Sequence, residues 1–132
     1  MHVVLCLDDR NGMLFNARRL SSDAAVCRRV CENHSGRLWV NHYSAKLFSN
    51  MDVCVDDAFL QKAEQTDTCF VENLDFTEWL PRVLSITIYR WNRHYPSDVK
   101  LPQSLLEDFR LTQTKEFAGN SHEMITEEQY IR

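Results

Sequence analysis

Apolar and polar residues alternate most cleanly from Leu84 to Tyr89, where Leu84, Ile86 and Ile88 are spaced by Ser85 and Thr87. A period of two with β-branched residues predicts a strand. Upstream, Cys69-Phe70-Val71 is a short apolar run. Asp75 and Glu78 have the spacing of a helix start in which two side chains satisfy exposed backbone N–H groups. Pro81 limits that helix. Residues 69–91 therefore predict strand, helix and strand, with the two strands parallel neighbours or near neighbours. The same unit recurs through the chain. His2–Leu7 is a continuous apolar run, as in a strand buried on both faces, and Asp8 to Gly12 is a turn. Residues 13–20 read as a long connecting loop. A helix over roughly 22–33 starts at Ser21 or Ser22. Then follow a strand at 37–41, a short helix at 42–48, a strand at 53–55 and a helix over 56–64. Thr114–Phe117 reads as a strand and 118–121 as a turn. Residues 122–131 fit either a helix, from the Thr126/Gln129 spacing, or a final strand. The expected fold is one α/β domain spanning residues 1–132, three-layered, with a mainly parallel central sheet and an antiparallel C-terminal addition.

Composition narrows the class. The chain is 44% hydrophobic and 11% aromatic with only 3 Gly and 3 Pro, which predicts a packed globule without linkers. No apolar run reaches the ~20 residues of a membrane span, and Met1–Leu7 is too short for the apolar core of a signal peptide. Five scattered cysteines, several inside apolar runs, read as buried thiols in a reducing compartment. The expected setting is the cytoplasm. A net charge of −4 argues against general nucleic-acid affinity. The charge is uneven: residues 1–48 hold 7 Lys/Arg and 4 Asp/Glu, net +3, and residues 49–132 hold 8 and 15, net −7. That is either surface scatter or a local anion site in the N-terminal third.

Asp23 opens a helical stripe with Cys27, Val30 and His34 that should face the sheet. It is either a carboxylate favoured by the helix dipole or a partly buried acid lining a pocket. Residues 41–44 join a strand to a helix start, a place where free N–H groups meet anions. Cys27, Cys31 and His34 share a helix face but lack the Cys-x-x-Cys pattern of a zinc site. The segment from Trp91 to Tyr95 mixes aromatics with cations and fits either a base- or anion-binding strip or ordinary packing at a strand end. There is no glycine-rich phosphate loop and no Gly-x-Ser-x-Gly elbow.

The order of elements resembles dihydrofolate reductase. Leu20-Ser21-Ser22-Asp23 is similar to the Leu-Pro-x-Asp that begins that family's first helix. Phe76 to Pro81 is similar to its aromatic-x-x-Phe-Leu-Pro helix, Leu84–Tyr89 to its Leu-x-Leu-Thr strand, Tyr95-Pro96 to its Phe-Pro, and Asn120-Ser121-His122 to the turn before its last strand. The resemblance implies that fold, and implies for Asp23 the position of the acid that holds the pterin. It also exposes departures. Glu72 and Asn73 stand where the family has Gly-Gly beside the cofactor pyrophosphate, and Asn41-His42-Tyr43-Ser44 replaces Gly-Arg-x-Thr. The segment between Phe48 and Val53 is short, so an edge strand is missing. The chain is also similar to short bacterial proteins sometimes labelled ribonuclease Z. That label implies a His-x-His-x-Asp-His cluster converging within ~2 Å of zinc, whereas His2, His34, His42, His94 and His122 are isolated in sequence.

These features lead to one functional expectation and its alternatives. The first is a protein that binds a small molecule or anion between residues 5–23 and 39–44, using Asp23 as a possible catalytic acid or hydrogen-bonding group. Arg18, Arg19, Asn41, His42 and Ser44 would hold the ligand. No metal is expected, no cofactor is required, and NADPH is disfavoured. The alternatives are a non-catalytic homo-oligomeric module and, third, an active NADPH-dependent reductase. A homodimer is expected from the missing edge strand.

Overall fold

The computed structural model describes residues 1–132. Its centre is β1 (His2–Leu7), which pairs in parallel with β6 (Thr68–Phe70) on one side and with β7 (Ser85–Arg90) on the other. The strand–crossover–strand unit thus places β6 and β7 as near neighbours with β1 between them. Outward from β6 lie β4 (Leu38–Val40) and β5 (Cys54–Val55), both parallel. Outward from β7, β10 (Ile125–Ile131) and β9 (Arg110–Phe117) run antiparallel. The seven-stranded sheet has the order β5-β4-β6-β1-β7-β10-β9. A three-stranded sheet of β2 (Gly12–Phe15), β3 (Arg18–Arg19) and β8 (Val99–Lys100) sits beside it.

Alternation along β1 divides the interior into two layers. Val3, Leu5 and Leu7 pack with Phe59, Phe76, Leu101 and Leu105 on one face. Val4 packs on the other with Val26 and Val30 of α1 (Ala24–Asn33) and with Phe48, Phe70, Tyr89 and Trp91. Burial on both faces explains why β1 is apolar without a break.

Several elements differ from the sequence reading. The cap of α1 is Asp23, not Ser21 or Ser22, because the Asp23 backbone is extended and its side chain accepts from the Ala25 N–H. Residues 12–19 form a hairpin, not a loop: Asn16 and Ala17 both have positive φ, 51° and 59°, as a tight two-residue turn requires. The helix expected over 42–48 is a 3-10 turn at Ala45–Phe48, because the Asn41 side chain accepts from Ser44 N–H and tightens the entry. The helix expected over 56–64 shrinks to α2 (Phe59–Lys62), ended by an extended Ala63 that packs into the core. Asp75 accepts the Thr77 N–H, but the segment it starts is a 3-10 helix, Thr77–Arg82, running past Pro81. Residues 125–131 resolve as a strand. No helix is long and apolar enough to cross a membrane, and all five cysteines are free.

Candidate functional site

Asp23 stands at the C-terminal side of β1, where the start of α1 meets the β9–β10 turn. Its Oδ1 accepts from Ala25 N at 2.8 Å and Asn120 N at 2.9 Å. Its Oδ2 accepts from Ser121 N at 2.8 Å and Ser121 Oγ at 3.1 Å, and meets His122 Nδ1 at 2.9 Å. The turn comes this close because residue 119 is glycine: a Cβ there would lie 2.5 Å from Oδ2. Burial alone would raise the Asp23 carboxyl. The donors outweigh it, from Asn120 N–H and the His122 ring to Ser121 N–H and Ala25 N–H, and hold the group well below the usual carboxylate range.

His122 is itself buried. Its ring stacks on Trp91 at 4.6 Å between centroids and 21° between planes. With the Asp23 carboxylate on Nδ1, that nitrogen donates. Nε2 faces Ser21 Oγ at 2.9 Å and Tyr95 Oη at 3.3 Å. Asp23, His122 and Ser21 therefore have the connectivity of an acid–base–nucleophile chain. The cavity beside them, lined in part by Cys6, Ser21, Asp23, Cys27, Glu72 and Trp91, measures only about 10 Å³. That holds about one water, and an acyl substrate needs far more. As folded, the chain of three residues is a clamp between α1 and the β9–β10 turn.

A second polar cluster lies on the far side of that cavity. The Arg19 guanidinium grips Glu72 in bidentate fashion, Nε to Oε2 at 2.9 Å and Nη2 to Oε1 at 3.0 Å. Ser44 Oγ donates to Glu72 Oε1 at 2.7 Å. Arg19 also lies over the Tyr43 ring, 4.7 Å from its centroid, and its backbone N–H donates to the Tyr43 hydroxyl. Asn41 closes the cluster, accepting from Ser44 N–H and donating to Asn73 Oδ1 at 2.8 Å. Burial first, and then the Glu72 charge, push the Cys6 thiol well up, and burial raises Cys27 to about 11, so neither is a thiolate at neutral pH.

The structure thus gathers Arg19, Asn41 and Ser44 around one point. It does not bring Arg18 or His42 there. Arg18 is exposed, one strand position from Arg19 and so on the opposite face, and exposed His42 pairs with Asp57. Asp23 borders the same small cavity, but its oxygens are committed to residues 25 and 120–122. Sequence reasoning did not pair Glu72 with Arg19, although the two carry opposite charges, and it placed His122 only in a turn and Ser21 only at a helix start, without their link to Asp23. No group of three or more His, Cys, Asp or Glu is placed to hold a metal.

One solved structure with this architecture is a dihydrofolate reductase from Enterococcus faecalis, determined with NADP(H) and RAB-propyl. It matches at a TM-score of 0.70 over 99% of this chain and 95% of that one. The fold is that of dihydrofolate reductase. Sequence identity is 10%, so the likeness is one of architecture alone. No family model and no curated protein matches the sequence. The likeness gives no support to a ribonuclease Z label.

Proposed function

We propose that the protein binds a small anionic molecule at Arg19 and Ser44, on a dihydrofolate-reductase-like fold, without acting as an NADPH-dependent reductase. The observation that carries this reading is the bidentate Arg19–Glu72 pair with Ser44 added to it. Guanidinium, hydroxyl and a tight backbone turn form a ready carboxylate or phosphate receptor. Its resident anion is the chain's own Glu72. A ligand anion binds by displacing that carboxylate, so Glu72 sets the affinity threshold and favours compact, strongly charged groups. Asn41 supports the turn, Arg18 contributes charge at the surface, and His42 lies outside the cluster beside Asp57. Asp23, fully hydrogen-bonded, holds the neighbouring wall. NADPH is disfavoured because a diphosphate would meet the Glu72 charge where the reductase pattern has two glycines. Five free thiols, four of them pushed up by burial and so held protonated, fit the cytoplasm.

The test is calorimetric titration with inorganic pyrophosphate. Glu72→Gln removes the competing charge and frees Arg19, and is expected to bind at least about tenfold tighter than the parent, a change of ~1.4 kcal/mol. Arg19→Gln in the same background should abolish the gain. Equal absence of binding in parent and Glu72→Gln overturns the proposal. So does low-micromolar, saturable NADPH quenching of Trp39 and Trp91 fluorescence, which would instead support the reductase reading.

A second reading rests on the sheet edge. The segment between Phe48 and β5 forms no strand, and β5 itself has 2 residues. The longer free edge is β9, whose residues from Arg110 to Glu116 are all exposed, with Leu111 at 47%. An open edge pairs readily with a second copy, and an isologous dimer joining two β9 strands extends the sheet. Sedimentation is expected to show a dimer at about 100 μM, a concentration that populates contacts of roughly 5 kcal/mol, and Gln113→Pro should abolish it. A monomer at that concentration removes this reading.

A further inference from the structure

We propose a second ligand site, distinct from the Arg19–Glu72 cluster, in the groove between the end of α1 and the sheet, taking a neutral polyhydroxylated molecule of about monosaccharide size. The groove lies at the opposite ends of the parallel strands: His2, Thr68 and Ser85 line it, and each begins its strand. Its volume is about 300 Å³, which is ~30 times that of a single water site and the lower end of small-ligand pockets.

The groove is a roomy opening beside α1, and His34, whose Nδ1 has no partner in the chain, borders it. Nδ1 itself is closed off from the groove, so a ligand meets the other polar side chains of the walls.

The chemistry of the walls selects the ligand class. Glu127 is the only acid in the lining, and it is already engaged by Arg29 at 3.3 Å and by the Tyr89 hydroxyl at 2.7 Å. Burial, and then the Met1 amine, lower the pKa of His2, so His2 is uncharged at neutral pH. With Glu127 paired, the lining holds no Lys, Arg, Asp or Glu free to take an ion. The side chains of Thr87, Gln129 and Asn33 line the groove and make no hydrogen bond within the chain, leaving a hydroxyl and two amides to offer. Val4 and Val30 supply aliphatic surface between them. Hydroxyl and amide groups set against aliphatic patches match a molecule that carries hydroxyls on a C–H framework.

The experiment is a ¹⁵N–¹H spectrum of the full chain titrated with D-glucose, D-ribose and myo-inositol, each to about 50 mM, which detects dissociation constants in the millimolar range. The expected result is saturable shifts at the amides of Ser35, Thr87 and Gln129 with at least one of the three, none at Arg19 or Ser44, and at least a tenfold loss of affinity in Thr87→Tyr, which fills the groove. His34→Ala, at the C-cap of α1, gives the same test if Thr87→Tyr does not fold. Absence of saturable shifts with all three probes overturns the proposal. So do shifts that persist unchanged in the folded variant.

Discussion

Asp23→Ala is expected to lower the unfolding free energy by about 3–4 kcal/mol, combining the loss of a helix cap (~1 kcal/mol) with that of charge-assisted hydrogen bonds worth ~1.5–3 kcal/mol each, which do not add fully. The loss is large because the carboxylate and the imidazole are both buried, at 4% and 5% exposure, and the Ala25, Asn120 and Ser121 N–H groups all lose their acceptor. For a chain of this length the melting temperature should fall by roughly 12–20 °C. Asn at this position keeps the cap, but its amide hydrogens oppose the donors of residues 120–122, so Asp23→Asn should recover only part of the loss. The comparison with His122→Ala decides the mechanism. If the two residues act as one clamp, the double variant costs clearly less than the sum of the singles. Chemical denaturation of all four proteins measures this, and an Asp23→Ala cost under about 1 kcal/mol would place the carboxylate in water.

The same clamp sets the response to acid. The folded Asp23 carboxyl is held below its unfolded value, so its contribution is complete above about pH 4, the ordinary Asp value, and falls away as pH drops further. Asp8, buried with its oxygens on the N–H groups of Arg10, Gly12 and Tyr95, and Asp67, on those of Arg37 and Glu64, are lowered for the same reason and act in the same window. Stability should therefore fall steeply below pH 4, and the Asp23→Asn variant should show a shallower fall.

The sheet was legible in sequence because its strands carry their own period. Leu84 to Tyr89 alternate, and β7 occupies Ser85–Arg90; His2–Leu7 is unbroken, and β1 is covered on both faces. The short helices were less legible, since their limits come from single side-chain contacts, such as Asn41 with Ser44 or Asp56 with Ala58, that local propensity does not register. Residues 122–131 fitted two periods equally well. The strand is chosen by pairing with β7, where Glu127 lies opposite Tyr89 and takes its hydroxyl. The position of Asp23 at a helix start was readable, but its partner was not: His122 lies 99 residues away, and nothing local marks that contact. Arg19, Asn41 and Ser44 were readable as candidates for an anion. That the anion is Glu72 follows only once β6 brings residue 72 beside the turn after β4.

Arg19→Met should destabilise the protein by about 3 kcal/mol, the low end of what breaking a buried ion pair costs, because Arg19 keeps part of its side chain in water while Glu72 does not. Their side chains are 28% and 6% exposed. Without the guanidinium, Glu72 retains only the Ser44 hydroxyl and must either stay charged in an apolar wall with Cys6 and Cys27 or take up a proton. The double change Arg19→Met with Glu72→Leu removes both charges and the need to desolvate them. It should recover most of the loss, as buried pairs replaced by apolar side chains of similar volume do. Urea unfolding of parent, single and double variants gives the coupling directly. A double variant as unstable as Arg19→Met would mean that the cluster stabilises the fold through Tyr43 and the backbone of residues 41–44, with the charge pair incidental. Recovery in the double variant, together with tighter pyrophosphate binding in Glu72→Gln, would show that Glu72 occupies the anion position by competition and not because the fold requires it.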